Sequence, residues 1–292
     1  MSNSEKTNSS VAKVSCDACP ILCRISPGKT GSCDRYGNVD GKLQRMDPVI
    51  LTQKAVDQDQ ALVQFEEQSQ KWDGTVINSD AMFPTAVGVG TTYPDYKPAY
   101  NPMTIEGKKT VSIEIFNQLG RVPEHVFVSV GDGVILSGLY KGFRDLLQLK
   151  QIPRMPEIHA IQASGSSSIF KAMSSGEFQE LAAETVADSI SVNTPSNGYL
   201  ALKNLKSYGG HCITLTDEEI LSAQKELSSS CGLFSEPAAA AAYAGFIKQK
   251  QYLDSDSTCV VLLTGNGLKD INSASRNIVT PSKTINSLDE LN

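Results

Sequence analysis

Short apolar runs alternate with amphipathic segments along the C-terminal two thirds of the chain. Four runs of mostly apolar residues are typical of short buried strands, namely Val126–Val130, Ile158–Gln162, Cys212–Leu215 and Cys259–Leu263. Segments with apolar residues at helical spacing alternate with them, namely Thr110–Leu119, Ile135–Leu149, Asp217–Ser229 and Pro237–Gln249. This alternation predicts an α/β fold with a mostly parallel sheet covered by helices.

One helix start is indicated by its capping residues. The sequence Thr-Asp-Glu-Glu begins at Thr216, directly after an apolar run. A threonine side chain can cap the first turn, and the carboxylates that follow interact favourably with the positive end of the helix dipole. We therefore expect a helix to begin at Asp217.

The polar pattern of the N-terminal third divides the chain further. Residues 1–13 are predicted to form a polar, disordered tail, and residues 14–50 a small cysteine-rich module. Residues 51–99 are predicted to be a linker, in which Gln53–Lys71 has a polar, helix-like pattern and the remainder is rich in turn signals. Residues 100–292 are predicted to form the α/β domain.

Composition and charge narrow the classes of partner. The 292 residues include 26 Lys and Arg against 32 Asp and Glu, a net charge of −6 that disfavours a general nucleic-acid binder. No apolar run has the length of a membrane span, and the N-terminus lacks the apolar segment of a signal peptide. We expect a cytoplasmic protein with no nucleic-acid or membrane partner.

Four of the seven cysteines lie close together in the sequence, as Cys16, Cys19, Cys23 and Cys33, with the spacing C-x2-C-x3-C-x9-C. An odd count of cysteines without a secretion signal argues against a disulfide framework. Four thiolates from one short segment can bind a tetrahedral zinc ion or a [4Fe–4S] cluster, and the opening spacing favours the cluster. The segment is too small to bury a core, so we expect it to need the metal to fold.

The sequence FVSVGDGVILSGLYKGF (Phe127–Phe143) joins a predicted strand to a predicted helix through Gly-Asp-Gly. Glycines let the backbone approach an anion, and the free N–H groups of a helix start can bind phosphate. The pattern matches neither the Walker A motif nor the dinucleotide fingerprint. A tight turn without a ligand is the alternative interpretation, and a carboxylate at Asp132 favours it.

Seven blocks of sequence resemble the second half of bacterial threonine synthases, from about Tyr100 to Asp270. They are NPMTIEGKKTVSIEI, VFVSVGDGVILSGLYKGFRDL, IQASGSSSI, VADSISVNTPSNG, ITLTDEEI, GLFSEPAAAAAYAG and VVLLTGNGLKD. The resemblance implies part of a three-layer pyridoxal-phosphate enzyme fold. It also implies the conversion of O-phosphohomoserine, an amino-acid phosphate, to threonine and phosphate.

The resemblance also assigns roles to individual residues. Gly131, Asp132, Gly133 and Val134 would bind the phosphate of pyridoxal phosphate through their backbone N–H groups. Thr264 would place its hydroxyl beside the pyridine nitrogen of the cofactor. Glu236 would lie near the ring as a secondary contact, and a carboxylate that merely stabilises a helix N-terminus is an equal alternative.

The block around the catalytic lysine of that family, similar to S-F-K-D-R, is not present in the sequence. We therefore assign no catalytic residue, and we expect an incomplete enzyme that is inactive alone. The expected partner is a second copy of this chain, in a homo-oligomer, or a complementary chain.

A second resemblance covers the N-terminal part. Ser15–Asp47 and Asn78–Ala99 are similar to segments of 6-hydroxynicotinate reductases. This similarity implies an alternative function, an iron–sulfur oxidoreductase that acts on an N-heterocycle.

Overall fold

The computed structural model describes residues 12–18, 20–32, 36–45, 50–51, 76–77 and 102–276. The chain divides into two compact units, Met1–Thr110 and Val111–Asn292. The tail through residue 11, the segment Gln53–Lys71 and most of the predicted linker lie outside the described residues.

The described residues of the N-terminal unit form paired short strands and one helix. Strand β1 (Val14–Ser15) is antiparallel to β2 (Arg24–Ile25), β3 (Tyr36–Val39) is antiparallel to β4 (Lys42–Arg45), and β5 (Ile50–Leu51) is parallel to β6 (Val76–Ile77). Asp40 and Gly41 join β3 to β4, and both have positive φ (50° and 82°), as a tight two-residue hairpin turn requires. Helix α1 spans Pro102–Lys108.

The C-terminal unit alternates helices and strands in chain order. Its helices are α2 (Thr110–Leu119), α3 (Val134–Gln148), α4 (Ser168–Ser175), α5 (Gly198–Tyr208), α6 (Asp217–Cys231), α7 (Pro237–Gln249) and α8 (Ile271–Ser275). Its strands are β7 (His125–Ser129), β8 (Glu157–Ala163), β9 (His211–Leu215) and β10 (Cys259–Val261). Each of the four predicted strands and four predicted helices is confirmed, with ends within two residues of those expected.

The four strands of this unit form one sheet in the order β10-β7-β8-β9, and every neighbouring pair is parallel. The predicted α/β fold with a parallel sheet is therefore confirmed. All carboxyl ends of the strands meet at one edge of this sheet, and all amino ends meet at the opposite edge.

Each face of the sheet is buried under helices. On one face, Val126 and Val128 of β7 pack in a core that includes Leu139 and Phe143 of α3. On the other face, Phe127 packs in a core with three alanines of α7, namely Ala238, Ala241 and Ala244. The alternation of Val126, Phe127 and Val128 between two cores follows from the two-residue period of a strand.

The start of α6 is capped as its sequence predicts. The Thr216 hydroxyl accepts a hydrogen bond from the backbone N–H of Glu219 (3.2 Å), and the Glu219 carboxylate accepts one from the N–H of Thr216 (2.7 Å). This reciprocal arrangement satisfies two backbone donors that a helix start otherwise leaves unpaired.

In the part of the chain that the structure describes, no helix combines the length and the apolar character that crossing a bilayer demands.

Candidate functional site

The loop Gly131–Gly133 follows β7 at the carboxyl edge of the sheet and leads into α3. The N–H of Val130 donates to Ile161 of β8 (2.8 Å), so the sheet fixes the residue before the loop. From Gly131 to Val134, the four backbone N–H groups donate to no acceptor among the described residues. A run of unpaired donors at the start of a 15-residue helix is an arrangement suited to an anion.

The side chain of Asp132 is turned towards the backbone before α5. Its carboxylate accepts a hydrogen bond from the N–H of Ser196 (2.8 Å), and its carbonyl accepts one from the N–H of Asn197 (3.0 Å). The sequence raised Asp132 as an argument against a phosphate, because a carboxylate repels an anion. Here the carboxylate holds the loop to the segment before α5, while the N–H of Asp132 has no acceptor in the part of the chain that the structure describes.

Both glycines of the loop are required by its packing. A Cβ at Gly131 would lie 2.8 Å from the Cα of Ile190, and one at Gly133 would lie 2.9 Å from the Cβ of Ala201. Gly133 also has a φ of 86°, which disfavours residues with a side chain. The tight turn and an anion site are therefore compatible, because both would need the same glycines.

Gln162 of β8, which the sequence gave no reason to select, supports the same loop. Its amide donates to the carbonyl of Val130 (3.2 Å) and accepts from the N–H of Phe170 in α4 (2.9 Å). Cys212 lies beside it, with its sulfur 3.9 Å from Oε1 of Gln162. Burial raises the pKa of the Cys212 thiol to about 12, which favours the neutral thiol.

Thr264 and Glu236 lie in two segments that the structure brings together. Strand β10 continues alongside β7 through a hydrogen bond from the N–H of Leu262 to Phe127 (3.0 Å), so Thr264 follows at the same edge as the glycine loop. The N–H of Glu236 donates to the carbonyl of Gly265 (3.1 Å). Thr264 itself is exposed.

Glu236 belongs to a network of three polar side chains. It is buried, at 6% exposure, and its carboxylate lies 3.0 Å from the ammonium group of Lys269 and accepts from the Ser189 hydroxyl (3.1 Å). Lys269 in turn donates to Ser189 (2.6 Å). Sequence reasoning missed Ser189 and Lys269, although Lys269 stands in the TGNGLKD block. Glu236 precedes α7, and its carboxylate makes no capping hydrogen bond there; it contacts Lys269 and Ser189 instead.

The four cysteines lie in the N-terminal unit, where the structure describes Cys16 and Cys23 but not Cys19 or Cys33. The N–H of Cys16 donates to the carbonyl of Cys23 (2.8 Å), because β1 and β2 bring the two residues opposite each other. The sulfur of Cys23 also accepts a hydrogen bond from the N–H of Ser32 (3.5 Å). Cys16 and Cys23 are thus adjacent, and the four-cysteine site stays a prediction.

Comparison with protein families gives one match. Residues 87–265 match the family model described as "Pyridoxal-phosphate dependent enzyme". The match includes the glycine loop, Glu236 and Thr264. It does not reach the cysteine cluster, so the resemblance of that segment to 6-hydroxynicotinate reductases stays a prediction.

Curated relatives with sequence similarity are described as threonine synthases. The chain is 37% identical to the protein of Methanocaldococcus jannaschii over 189 residues, which cover 63% of this chain and 47% of the relative. It is 40% identical to that of Methanosarcina acetivorans, covering 58% of this chain and 44% of the relative. For the protein of Synechocystis the identity is 32%, covering 72% and 55%. The chain spans about half the length of the curated relatives it matches.

Solved structures share the fold. An L-serine ammonia-lyase from Rhizomucor miehei aligns with a TM-score of 0.54 at 19% identity, over 63% of this chain and 59% of that one. The processed form of threonine deaminase isoform 2 from Solanum lycopersicum aligns with a TM-score of 0.50 at 20% identity, over 60% and 50%. At these identities the likeness concerns the fold alone.

Replacing Asp132 tests whether its carboxylate holds the loop. We expect Asp132→Ala to lower the free energy of unfolding by about 1–3 kcal/mol, because the N–H of Ser196 loses its acceptor. Asp132→Asn keeps an acceptor oxygen, and we expect it to cost less than about 1 kcal/mol. Urea unfolding followed by circular dichroism measures both. Equal destabilisation by the two variants would contradict this role.

Proposed function

Because the chain belongs to the family of pyridoxal-phosphate dependent enzymes, we propose that it binds the phosphate of pyridoxal phosphate through the loop Gly131–Val134. We further propose that it contributes this site to a threonine synthase-like reaction on an amino-acid phosphate, O-phosphohomoserine. The similarity to threonine synthases at 32–40% identity supports this substrate class.

The unpaired N–H groups of the glycine loop are the observation that carries the proposal. A phosphate at the start of α3 would accept hydrogen bonds from the backbone of Gly131, Asp132, Gly133 and Val134 and would lie at the positive end of the helix dipole. The donor set therefore fits the phosphate of this cofactor. When bound, pyridoxal phosphate supplies an electron sink for carbanion chemistry.

Other residues at this edge would orient the cofactor ring. Thr264 is exposed, and its hydroxyl would be the partner of the pyridine nitrogen. A neutral hydroxyl would leave that nitrogen largely unprotonated. The ion pair of Glu236 with Lys269 holds the segment after Thr264 against α7. In this proposal Glu236 and Lys269 are positioning residues, since they act through the backbone of that segment.

A glycine replacement tests the phosphate loop. We expect Gly133→Ala to weaken binding of pyridoxal phosphate at least about tenfold, the loss of about 1.4 kcal/mol that corresponds to one charge-assisted hydrogen bond. The methyl group would meet Ala201 and displace the N–H groups of the loop. Fluorescence titration of the full chain with pyridoxal phosphate measures the affinity, and competition by inorganic phosphate identifies the phosphate contact.

Gly176→Ala is the matched control. Gly176 has a similar φ of 80° at the end of α4, but a Cβ there meets nothing within 4 Å. Both variants thus carry the backbone strain of alanine at positive φ, and only Gly133→Ala disturbs the loop. The proposal fails if pyridoxal without its phosphate binds as tightly as pyridoxal phosphate, or if the two alanine variants bind the cofactor equally well.

The expectation that this polypeptide does not complete the reaction alone stays a hypothesis. It rests on the lysine block that the printed sequence does not contain. We expect no release of phosphate from O-phosphohomoserine by the purified chain with pyridoxal phosphate, and no single lysine labelled in full after borohydride reduction and peptide mapping. Turnover, or complete labelling of one lysine, would contradict it.

We also propose that Cys16, Cys19, Cys23 and Cys33 bind a metal. The pairing of Cys16 with Cys23 supports this, because β1 and β2 place these two cysteines side by side. The N–H of Ser32 donates a hydrogen bond to the Cys23 sulfur, so the residue before Cys33 lies next to Cys23. Backbone N–H groups stabilise thiolate sulfurs of this kind.

Metal analysis of anaerobically purified protein tests the cysteine site. We expect either bound zinc or iron with sulfide, and we expect Cys16→Ser and Cys23→Ser each to lose it. Cys231→Ser is the control, since Cys231 is exposed in the other unit. Absorbance in the visible range separates a coloured iron–sulfur cluster from colourless zinc. A chain without stoichiometric metal would contradict the proposal.

A further inference from the structure

All three histidines of the chain converge at the amino edge of the sheet, opposite the glycine loop. His125 is the first residue of β7, His159 is the third of β8 and His211 is the first of β9. In the parallel register His125 pairs with Glu157, and His159 pairs with both Phe127 and His211. The histidines and Glu157 therefore project from the same face of three adjacent strands.

The ligand atoms of this cluster lie at short distances from each other. Nδ1 of His125 is 3.2 Å from Nε2 of His159. The Glu157 carboxylate is 3.6 Å from Nε2 of His159 and 3.9 Å from Nδ1 of His125. Two ligands of a tetrahedral zinc ion, each about 2.0–2.1 Å from the metal, lie roughly 3.3 Å apart. The three side chains thus approach the spacing that one cation needs, and small rotations of Glu157 would complete it.

The surroundings hold the ring of His159 in place. His159 is 3% exposed, and its ring stacks on Phe127 with the ring centroids 4.3 Å apart. Glu157 is the partly exposed member, at 41%, and opens a path from solvent.

His211 supports the carboxylate. Its Nε2 lies 2.8 Å from Oε1 of Glu157, and its ring stacks on that of His159. Carboxylates and imidazoles that bind metals are usually held by such outer hydrogen bonds. His211 is therefore placed as a positioning residue, not as a ligand.

From this geometry we propose that His125, His159 and Glu157 bind a divalent cation of the zinc class, with water completing the coordination. Two imidazole nitrogens and one carboxylate form a ligand set that zinc accepts, whereas magnesium and calcium prefer ligand sets made of oxygen atoms. The site would tie β7 to β8 at the end of the sheet opposite the phosphate loop. It is independent of the cofactor proposal and of the cysteine cluster.

A missing hydrogen bond of His159 lowers the zinc affinity that we expect. Nδ1 of His159 is buried and has no hydrogen-bond partner among the described residues. Binding a metal through Nε2 puts the proton on that nitrogen, and the loss of an outer partner typically weakens metal binding about 10–100-fold. We therefore expect affinity well below that of a fully supported zinc site.

Zinc titration of the full chain, after dialysis against a chelator, tests the proposal. We expect the wild type to bind one more zinc equivalent than His125→Gln or Glu157→Gln, each of which loses a ligand but keeps all the cysteines. Glu180→Gln, which replaces an exposed carboxylate elsewhere in this unit, should leave zinc binding unchanged. His211→Ala should weaken zinc binding about 10–100-fold, as expected for an outer partner.

Cobalt absorption identifies the ligands independently of stoichiometry. The difference between wild type and Glu157→Gln should show weak visible bands without the intense near-ultraviolet band of thiolate ligation. Circular dichroism of Glu157→Gln checks that this variant retains the fold. Equal zinc binding by the wild type, His125→Gln and Glu157→Gln would overturn the site, as would a thiolate band in the difference spectrum.

Discussion

The common direction of β10, β7, β8 and β9 is the constraint on which the rest of the C-terminal unit depends. Because all four strands are parallel, every connection must cross back over a face of the sheet, and helices cover both faces. The same polarity gathers the segments that follow the strands at one edge. The glycine loop and the Thr264 segment come together there, although about 130 residues of sequence separate them.

The glycine loop shows how packing and binding can require the same residues. Gly131 permits the close approach of Ile190, and Gly133 turns the backbone into the start of α3. The carboxylate of Asp132 fixes the loop from the side of Ser196. The glycines and the aspartate of the loop are engaged in packing and hydrogen bonding. Its N–H groups still have no acceptor within the described residues, which is the property that an anion site needs.

The sequence was sufficient for elements whose signal is local. The apolar runs and helical spacing predicted four strands and four helices, and Thr216 with Glu219 predicted the start of α6. Helices α4 and α5 were not predicted, because serine, proline and glycine near their starts are typical of loops. In the structure, the Ser166 and Ser168 hydroxyls donate to the backbone of Ile190 and Asn193.

Contacts between residues that are distant in the sequence could not be predicted, because they leave no local signal. Lys269 donates a hydrogen bond to Ser189, which is 80 positions away in the sequence, and Gln162 donates one to Val130, which is 32 positions away. A lysine or glutamine has no local pattern that reveals such a partner. The network of Glu236 could therefore be identified only from the structure, even though its members lie in or beside blocks that the sequence analysis had selected.

Strand β8 links the two edges of the sheet. Its first residues carry Glu157 and His159, and near its end Gln162 holds the carbonyl of Val130 and the N–H of Phe170. Glu157 and His159 face the α7 side, whereas Gln162 has the opposite parity and faces the other side. A shift of β8 along its axis would therefore disturb both the histidine cluster and the residue before the glycine loop. The central position of β8, paired on both sides through five residues each, opposes such a shift, and this fixes the geometry of the glycine loop from within the sheet.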